Sequence, residues 1–376
     1  MTVITAAVLV ANGAVHRPGW VEFTGDRVIA CGAGVPPRPA DAEFADGVVV
    51  PGFVDMHVHG GGGFSYDTDA VGTAAFHRAH GTTSTVASLV TATPTDLLEQ
   101  VRVLADATRD NIIAGIHLEG PWLSSARCGA HDANQLREPD PAEIDALLAA
   151  ADGTIAMVTI APELPGADAA IERLVDAGVV VAVGHTDASY EQTKRAVQMG
   201  ATVGTHVFNG MRPLHHRDPG PALALLEDPR VTVELIADGV HLHPALAHQV
   251  TLTAGAERVA LITDAMAAAG LGDGSFRLGS MDVEVTGSVA RVRGQSTIAG
   301  STATMDALFR TAATGLEPQS DTALLHAVAM TSNTPARTLG LTGVGVIEPG
   351  ATADLVVLDR QLQVSAVLAG GIWHRT

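Results

Sequence analysis

The run PGFVDMHVH places two histidines, His57 and His59, one residue apart just before four consecutive glycines. Imidazole nitrogens can bind zinc or a similar first-row ion, so the pair reads either as two polar strand residues or as the start of a metal site. The rest of the chain decides between these readings. Glu119 ends the apolar run in GIHLEGP, His185 ends VAVGHT, His206 ends VGTHVFN and Asp264 ends LITDAM. A lone histidine at such a place is usually a hydrogen-bonded core or loop residue. Six ionisable groups at the same end of successive strands would carry a large desolvation cost without mutual pairing or a metal. Histidines and carboxylates together are a natural ligand set for zinc or a related divalent ion. His117 is expected to alternate away from Glu119 and to support a ligand from behind.

The elements that must position these groups follow a regular rhythm. Apolar runs of strand length recur as FVDMHV, TSTVASL, IIAGIH, IAMVTIA, VVVAVGH, ATVGTHV, VTVELIAD and VALITDA. Helical stretches such as PAEIDALLAAA, AAIERLVDAG and SYEQTKRAVQMG separate most of them. Eight near-continuous apolar strands joined by crossovers predict an α/β fold, a (β/α)8 TIM barrel, whose strand ends converge on one mouth. An open doubly wound sheet would normally carry a GxGxxG fingerprint, and the glycines at 60–63 lack that spacing. Residues 1–50 and 343–376 have a different texture, short strands broken by glycine, aspartate or asparagine. Neither end could bury its apolar faces alone, so the two are expected to pair as one small discontinuous β-sandwich domain. The barrel would then span 51–342. Short strands with glycine turns form an insertion at about 272–294, and a serine- or threonine-capped helix is expected to begin near Ser301.

Bulk properties narrow the function. The 376 residues are 47 % hydrophobic but only 3 % aromatic, enough for one large core filled mainly by small aliphatics. A formal charge of −19 leaves no basic surface for phosphate backbones, which excludes a nucleic-acid binder. The sequence shows no membrane-spanning apolar run and no basic-then-apolar leader, and it reads as cytoplasmic. Two cysteines, Cys31 and Cys128, do not make a disulfide framework.

The combination resembles the amidohydrolase superfamily, and within it the N-acetylglucosamine-6-phosphate deacetylases. The resemblance runs over nearly the whole chain: PGFVDMHVHG, HLEGP at 117–121, GAH at 129–131, GHTDA at 184–188 and THVFNGM at 205–211. It continues through RDPG at 217–220, IADGVH at 236–241, LITDAM at 261–266, GSTATM at 300–305 and the closing IEPGATADLVVLD. It implies hydrolysis of the acetamide of an amino-sugar phosphate, in amino-sugar catabolism and cell-wall recycling. Glu119, His185 and His206 match the principal metal ligands, and His57 and His59 match a pair that holds a second ion in some members. One or two divalent ions per subunit, zinc or iron or another first-row metal, are therefore implied. Asp264 matches the catalytic aspartate, general base and then general acid. His131, Asn209, Gly210, Arg217 and His241 match positions that hold the sugar phosphate. The resemblance further implies a homodimer in which Arg217 reaches the neighbouring site. The family usually reads FNAM where this chain reads FNGM. Some related enzymes bridge two metals with a carboxylated lysine. The single lysine here, Lys194, lies in a helical segment away from any strand end, which leaves Glu119 as the bridge. The competing readings are the galacto epimer as substrate and a sugar-phosphate sensor without catalysis.

Overall fold

The computed structural model describes residues 1–315 and 320–374. Its central feature is a sheet of eight strands in the order of the chain: Phe53–Val58, Thr82–Val90, Gly115–Glu119, Ile155–Ile160, Val180–Val183, Val203–Gly204, Thr232–Leu235 and Val259–Leu261. The pairings described within it are parallel, for example Leu118 opposite Leu89 on one side and Val158 on the other. The last strand returns to the first: the Asp264 amide donates to the His57 carbonyl and the His59 amide to the Ala265 carbonyl, both at 2.9 Å. Eight parallel strands in sequential order, with helices between most of them and closure of the last on the first, make a (β/α)8 barrel. Each of the eight apolar runs contributes one of these strands.

The intervening helices form where capping and periodicity coincide. Tyr190–Gln198 starts on a full capping box, in which the Ser189 hydroxyl accepts from the Gln192 amide and the Gln192 side chain accepts from the Ser189 amide. Pro141–Ala151 starts on Asp140, whose carboxylate accepts from the amides of Ala142 and Glu143, and it has proline in its first turn. Ala167–Asp176 buries Ala167, Ala170, Ile171 and Leu174 on one stripe.

Two compact units emerge from the packing. One comprises residues 56–74 and 85–303 and holds every residue discussed below as a candidate functional group. Within it, Gly274–Leu278, Met281–Thr286 and Val289–Val292 form a small antiparallel sheet. Its apolar face, with Leu278, Val283, Val285, Ala290 and Val292 buried, packs with Met266 and Ala268 and against Ala130. The other unit comprises 1–55, 75–84 and 304–374 of the described residues. Strands from the two chain ends share one eight-stranded mixed sheet there, with Leu355–Leu358 antiparallel to Ala42–Pro51 and Thr2–Ala11 parallel to it. Ile4, Leu9, Val21, Phe23, Val49, Leu355 and Leu368 are among its core. The helix expected near Ser301 begins at Met305 with Thr304 as its N-cap. Ser301 is committed elsewhere, in a parallel bridge with Ala265.

Candidate metal and catalytic centre

Glu119, the last residue of the third barrel strand, is the hub. Its Oε1 lies 3.0 Å from His185 Nε2 and 2.9 Å from His206 Nε2. Its Oε2 lies 3.1 Å from His59 Nε2, 3.4 Å from His57 Nε2 and 3.5 Å from His131 Nε2. Asp264 Oδ1 completes one side, 3.1 Å from His59 Nε2 and 3.6 Å from His57 Nε2. All seven side chains are buried. The structure thus brings together His57, His59, Glu119, His131, His185, His206 and Asp264.

The backbone bends sharply to achieve this. His185, His206 and Asp264 have φ of 45°, 25° and 48°, the left-handed region that non-glycine residues seldom adopt. Such residues cost about 1–3 kcal/mol each and persist where the surroundings over-determine them. For Asp264 the surroundings are GSTATM: the Ser301 amide donates to the Asp264 carbonyl at 2.7 Å, and the Ser301 hydroxyl donates to the Thr263 carbonyl. Gly184 lets the fifth and sixth strands close up before His185, since a Cβ there would sit 2.5 Å from Thr205 Cβ. Beyond His185, Glu163 accepts from the Thr186 hydroxyl at 2.5 Å and the Asp187 amide at 2.6 Å.

Hydrogen bonds on the far ring nitrogens fix what each histidine can offer. His59 Nδ1 faces the Ser88 carbonyl at 3.0 Å and His185 Nδ1 the Arg127 carbonyl at 2.9 Å. A carbonyl only accepts, so both Nδ1 atoms carry the proton. His57 Nδ1 likewise donates to Glu234 Oε2 at 3.1 Å. In the neutral rings the Nε2 atoms are therefore bare lone pairs aimed at carboxylate oxygens. Acceptors facing acceptors at 3 Å require positive charge among them, from ring protons or from a cation, and this donor set, three such imidazoles with their outer nitrogens already anchored, fits a divalent metal ion.

His131 is different. The Thr91 amide donates to its Nδ1 at 3.2 Å, so its proton sits on Nε2, toward Glu119. In that tautomer its Nε2 is an N–H donor. Distance alone groups His131 with Glu119 and His185 as readily as it groups His57, His59, Glu119 and Asp264. His206 lies as close on the other side, with 3.1 Å between its Nε2 and that of His185.

Electrostatics follow the same plan. Burial raises Glu119, but the His57 charge and hydrogen bonds from His131, His185 and His206 hold it well below the usual carboxylate range. Burial also opposes ionisation of Asp264, which His59 and His57 nevertheless bring down to about 2. Burial lowers His59, while Asp264 and Glu119 carry it up to about 9. Burial dominates at His131 and brings it to about 4.

His117 differs from the sequence expectation. Residues two apart on a strand share a face, and His117 points inward beneath Glu119, its ring 4.5 Å from that of His57. Its nitrogens bond to the hydroxyls of Ser88 and Thr159, both at 2.8 Å. Ser88 Oγ also accepts from the Val58 amide at 3.0 Å, so this layer floors the cluster.

The expected substrate residues are more dispersed. Gly210, at φ 58°, passes so near His185 that a Cβ would lie 2.8 Å from Nδ1, and Asn209 Nδ2 donates to the His206 carbonyl at 3.2 Å. His241 Nδ1 pairs with Asp238 Oδ2 at 2.8 Å, and Asp264 adds to the field on it. The Arg217 side chain is exposed. Sequence reasoning missed Glu234, Asp238, Glu163 and the clamp in which Asp187 pairs with Arg127 at 2.8 Å and Arg212 at 3.0 Å. Glu234 had a signal, a carboxylate in the middle of the apolar run VTVELIAD.

A parallel barrel with histidines and carboxylates gathered at its strand ends defines a hydrolase of the metal-dependent kind. The chain belongs to the amidohydrolase family, whose family model matches residues 48–372. It is similar over 100 % of its length to 99 % of a Mycobacterium smegmatis chain, with 55 % identity and a TM-score of 0.97. That structure is a point mutant of N-acetyl-D-glucosamine-6-phosphate deacetylase in complex with N-acetyl-D-glucosamine-6-phosphate. An N-acetylglucosamine-6-phosphate deacetylase of Lysinibacillus sphaericus is 35 % identical, with 86 % of this chain and 84 % of the relative covered. An N-acetylgalactosamine-6-phosphate deacetylase of Escherichia coli O157:H7 is 37 % identical over 97 % of this chain and 98 % of its own.

Proposed function

We propose that this amidohydrolase removes the acetyl group of N-acetyl-D-glucosamine 6-phosphate, giving glucosamine 6-phosphate and acetate. The observation that carries the reading is Glu119, whose two oxygens face separate histidine pairs with Asp264 beside them. In this reading Glu119, His185 and His206 would hold one divalent ion, and His57 and His59 with Glu119 would hold a second. When bound, the ion, zinc in this reading, polarises the acetyl carbonyl and makes water a nucleophile near neutral pH. Asp264, ionised at pH 7, takes the proton from the attacking water and delivers it to the sugar nitrogen as the C–N bond breaks. His131, neutral with its proton on Nε2, donates to the developing oxyanion or to the sugar. Asn209, Gly210, His241 and Arg217 receive the phosphate.

Arg217 completes that pocket from a second copy of the chain, in a homodimer. Its exposed side chain and the exposed Leu214 beside it, on the loop before Gly220, support this. Residues 51–342 act as the catalytic barrel, with the insertion at about 272–294, and 1–50 with 343–374 as the small β domain. Residues 375 and 376 lie outside the described residues. The working place is the cytoplasm, since a sugar phosphate is too charged to cross a bilayer unaided. No helix among the described residues is long and apolar enough to cross a membrane.

The galacto epimer is a second reading, favoured by the E. coli relative's name. Amine release from both epimers and from unphosphorylated N-acetylglucosamine, with and without prior chelation, tests these readings. Chelator-sensitive turnover of the phosphorylated gluco sugar is expected. Preference for the epimer moves the substrate and keeps the mechanism, and no turnover of any sugar after zinc is restored rejects the deacetylase reading.

A further inference from the structure

Glu234, on the seventh barrel strand, has no exposed surface and no role in the mechanism above. One of its oxygens, Oε2, accepts from His57 Nδ1 at 3.1 Å and from the His206 backbone amide at 3.2 Å. Oε1 has no hydrogen-bond partner, and no lysine or arginine pairs with Glu234 among the described residues. A buried carboxylate so sparsely matched costs several kcal/mol unless positive charge compensates it. The one route by which such charge reaches it is through the His57 ring. His59 and His185 donate from Nδ1 to neutral carbonyls, so His57 alone has an ionised acceptor behind it. An ionised acceptor makes the opposite nitrogen a stronger donor to a metal and locks the ring so that this nitrogen faces Glu119 and Asp264. The same oxygen steadies the strained peptide of His206, a ligand in the other half of the cluster.

We infer that Glu234 is the positioning residue that makes the His57–His59 side of the cluster a second metal position. This rests on the metal reading proposed above, and the test separates the two. Protein stripped by chelation is titrated with zinc against a chromophoric competitor, its bound metal is counted, and its cobalt(II) absorption spectrum is recorded. The wild type is expected to take two ions. Glu234→Gln keeps an oxygen for both N–H groups and removes only the charge. It is expected to keep the first ion with little change and to weaken the second about 10- to 100-fold, with loss of that site's cobalt bands. Glu234→Met removes the acceptor of the His206 amide as well, so it is expected to weaken both ions but the second more than the first, and it serves if the amide variant misfolds. On a His57→Ala background, Glu234→Gln should add nothing, because it acts through that ring. Two ions bound with wild-type affinity in the variants would overturn the inference. Equal weakening of both positions, an additive loss on the His57→Ala background, or a single ion in the wild type would overturn it too. A wild type that takes no ion rejects the metal reading itself.

Discussion

Replacing Asp238 by asparagine tests how an acidic protein binds an anion. His241 is buried, which lowers its pKa, but the hydrogen bond to Asp238 and the charges of Asp238 and Asp264 raise it above the ordinary 6.5 on balance. Asp238 itself is held low by His241 and by the amides of His241 and Val240, against the cost of burial. The pair thus favours His⁺–Asp⁻ to a higher pH than a free imidazole would, with Nε2–H available to a phosphate oxygen. In Asp238→Asn the side-chain oxygen can still accept from the amides of Val240 and His241, so the loop keeps its shape. His241 Nδ1 then loses its charged acceptor, and burial is left to lower the pKa of the ring. A hydrogen bond to a charged group contributes about 1.5–3 kcal/mol. At ~1.4 kcal/mol per tenfold, that predicts a KM for N-acetylglucosamine 6-phosphate raised about 10- to 150-fold with kcat nearly unchanged. The sign with pH follows from the raised pKa: wild-type KM stays low below the elevated pKa of His241 and climbs as pH passes it. In the variant that climb moves to lower pH or disappears. Steady-state amine release from pH 6 to 9, with the unphosphorylated sugar as control, reads both effects. A variant with wild-type KM, or an equal loss for the unphosphorylated sugar, would refute the reasoning.

Asp264→Asn should lower kcat about 10²- to 10⁴-fold while leaving the metal content measured by elemental analysis unchanged, because a general base and acid is lost. If Arg217 works across a dimer, Arg217→Ala and Asp264→Asn proteins are each nearly inactive alone. Mixing them after mild dissociation should restore up to about a quarter of wild-type activity, from heterodimers carrying one intact site; no recovery with dimers re-formed would place Arg217 elsewhere. Ser88→Ala leaves the Val58 amide and a His117 nitrogen unmatched in the core, at about 1–3 kcal/mol each. Its midpoint in urea should fall accordingly. Gly184→Ala drives a methyl into Thr205 and Thr159, and should cost stability and bound metal together, read by denaturation and elemental analysis.

The barrel was legible because its strands are buried on both faces and so are written as eight apolar runs, and because the polar residues that interrupt them do so at the same end. Residue types at strand ends are one-dimensional information, and they carried His57, His59, Glu119, His185, His206 and Asp264 to one place. What escaped is the layer that orients them. Ser88, Thr159 and Glu163 are ordinary residues of strands and loops, and their partners lie 23 to 46 positions away, some of them backbone atoms, which leave no pattern in side-chain identity. The inward turn of His117 follows from strand alternation, because it lies two residues from Glu119 on one strand. Backbone strain was the least legible of all. Nothing in GHT, THV or TDA says that the histidine or aspartate is held at positive φ. That conformation turns side chains at the ends of three different strands toward one carboxylate, and it costs about 1–3 kcal/mol at each. The residues that bear the strain are those the proposed chemistry needs, and the contacts that offset it, Ser301 at Asp264 and Glu234 at His206, belong to the supporting layer. A sequence can therefore show which groups meet at the mouth of this barrel, while the geometry that makes them a metal site depends on residues whose types alone would not single them out.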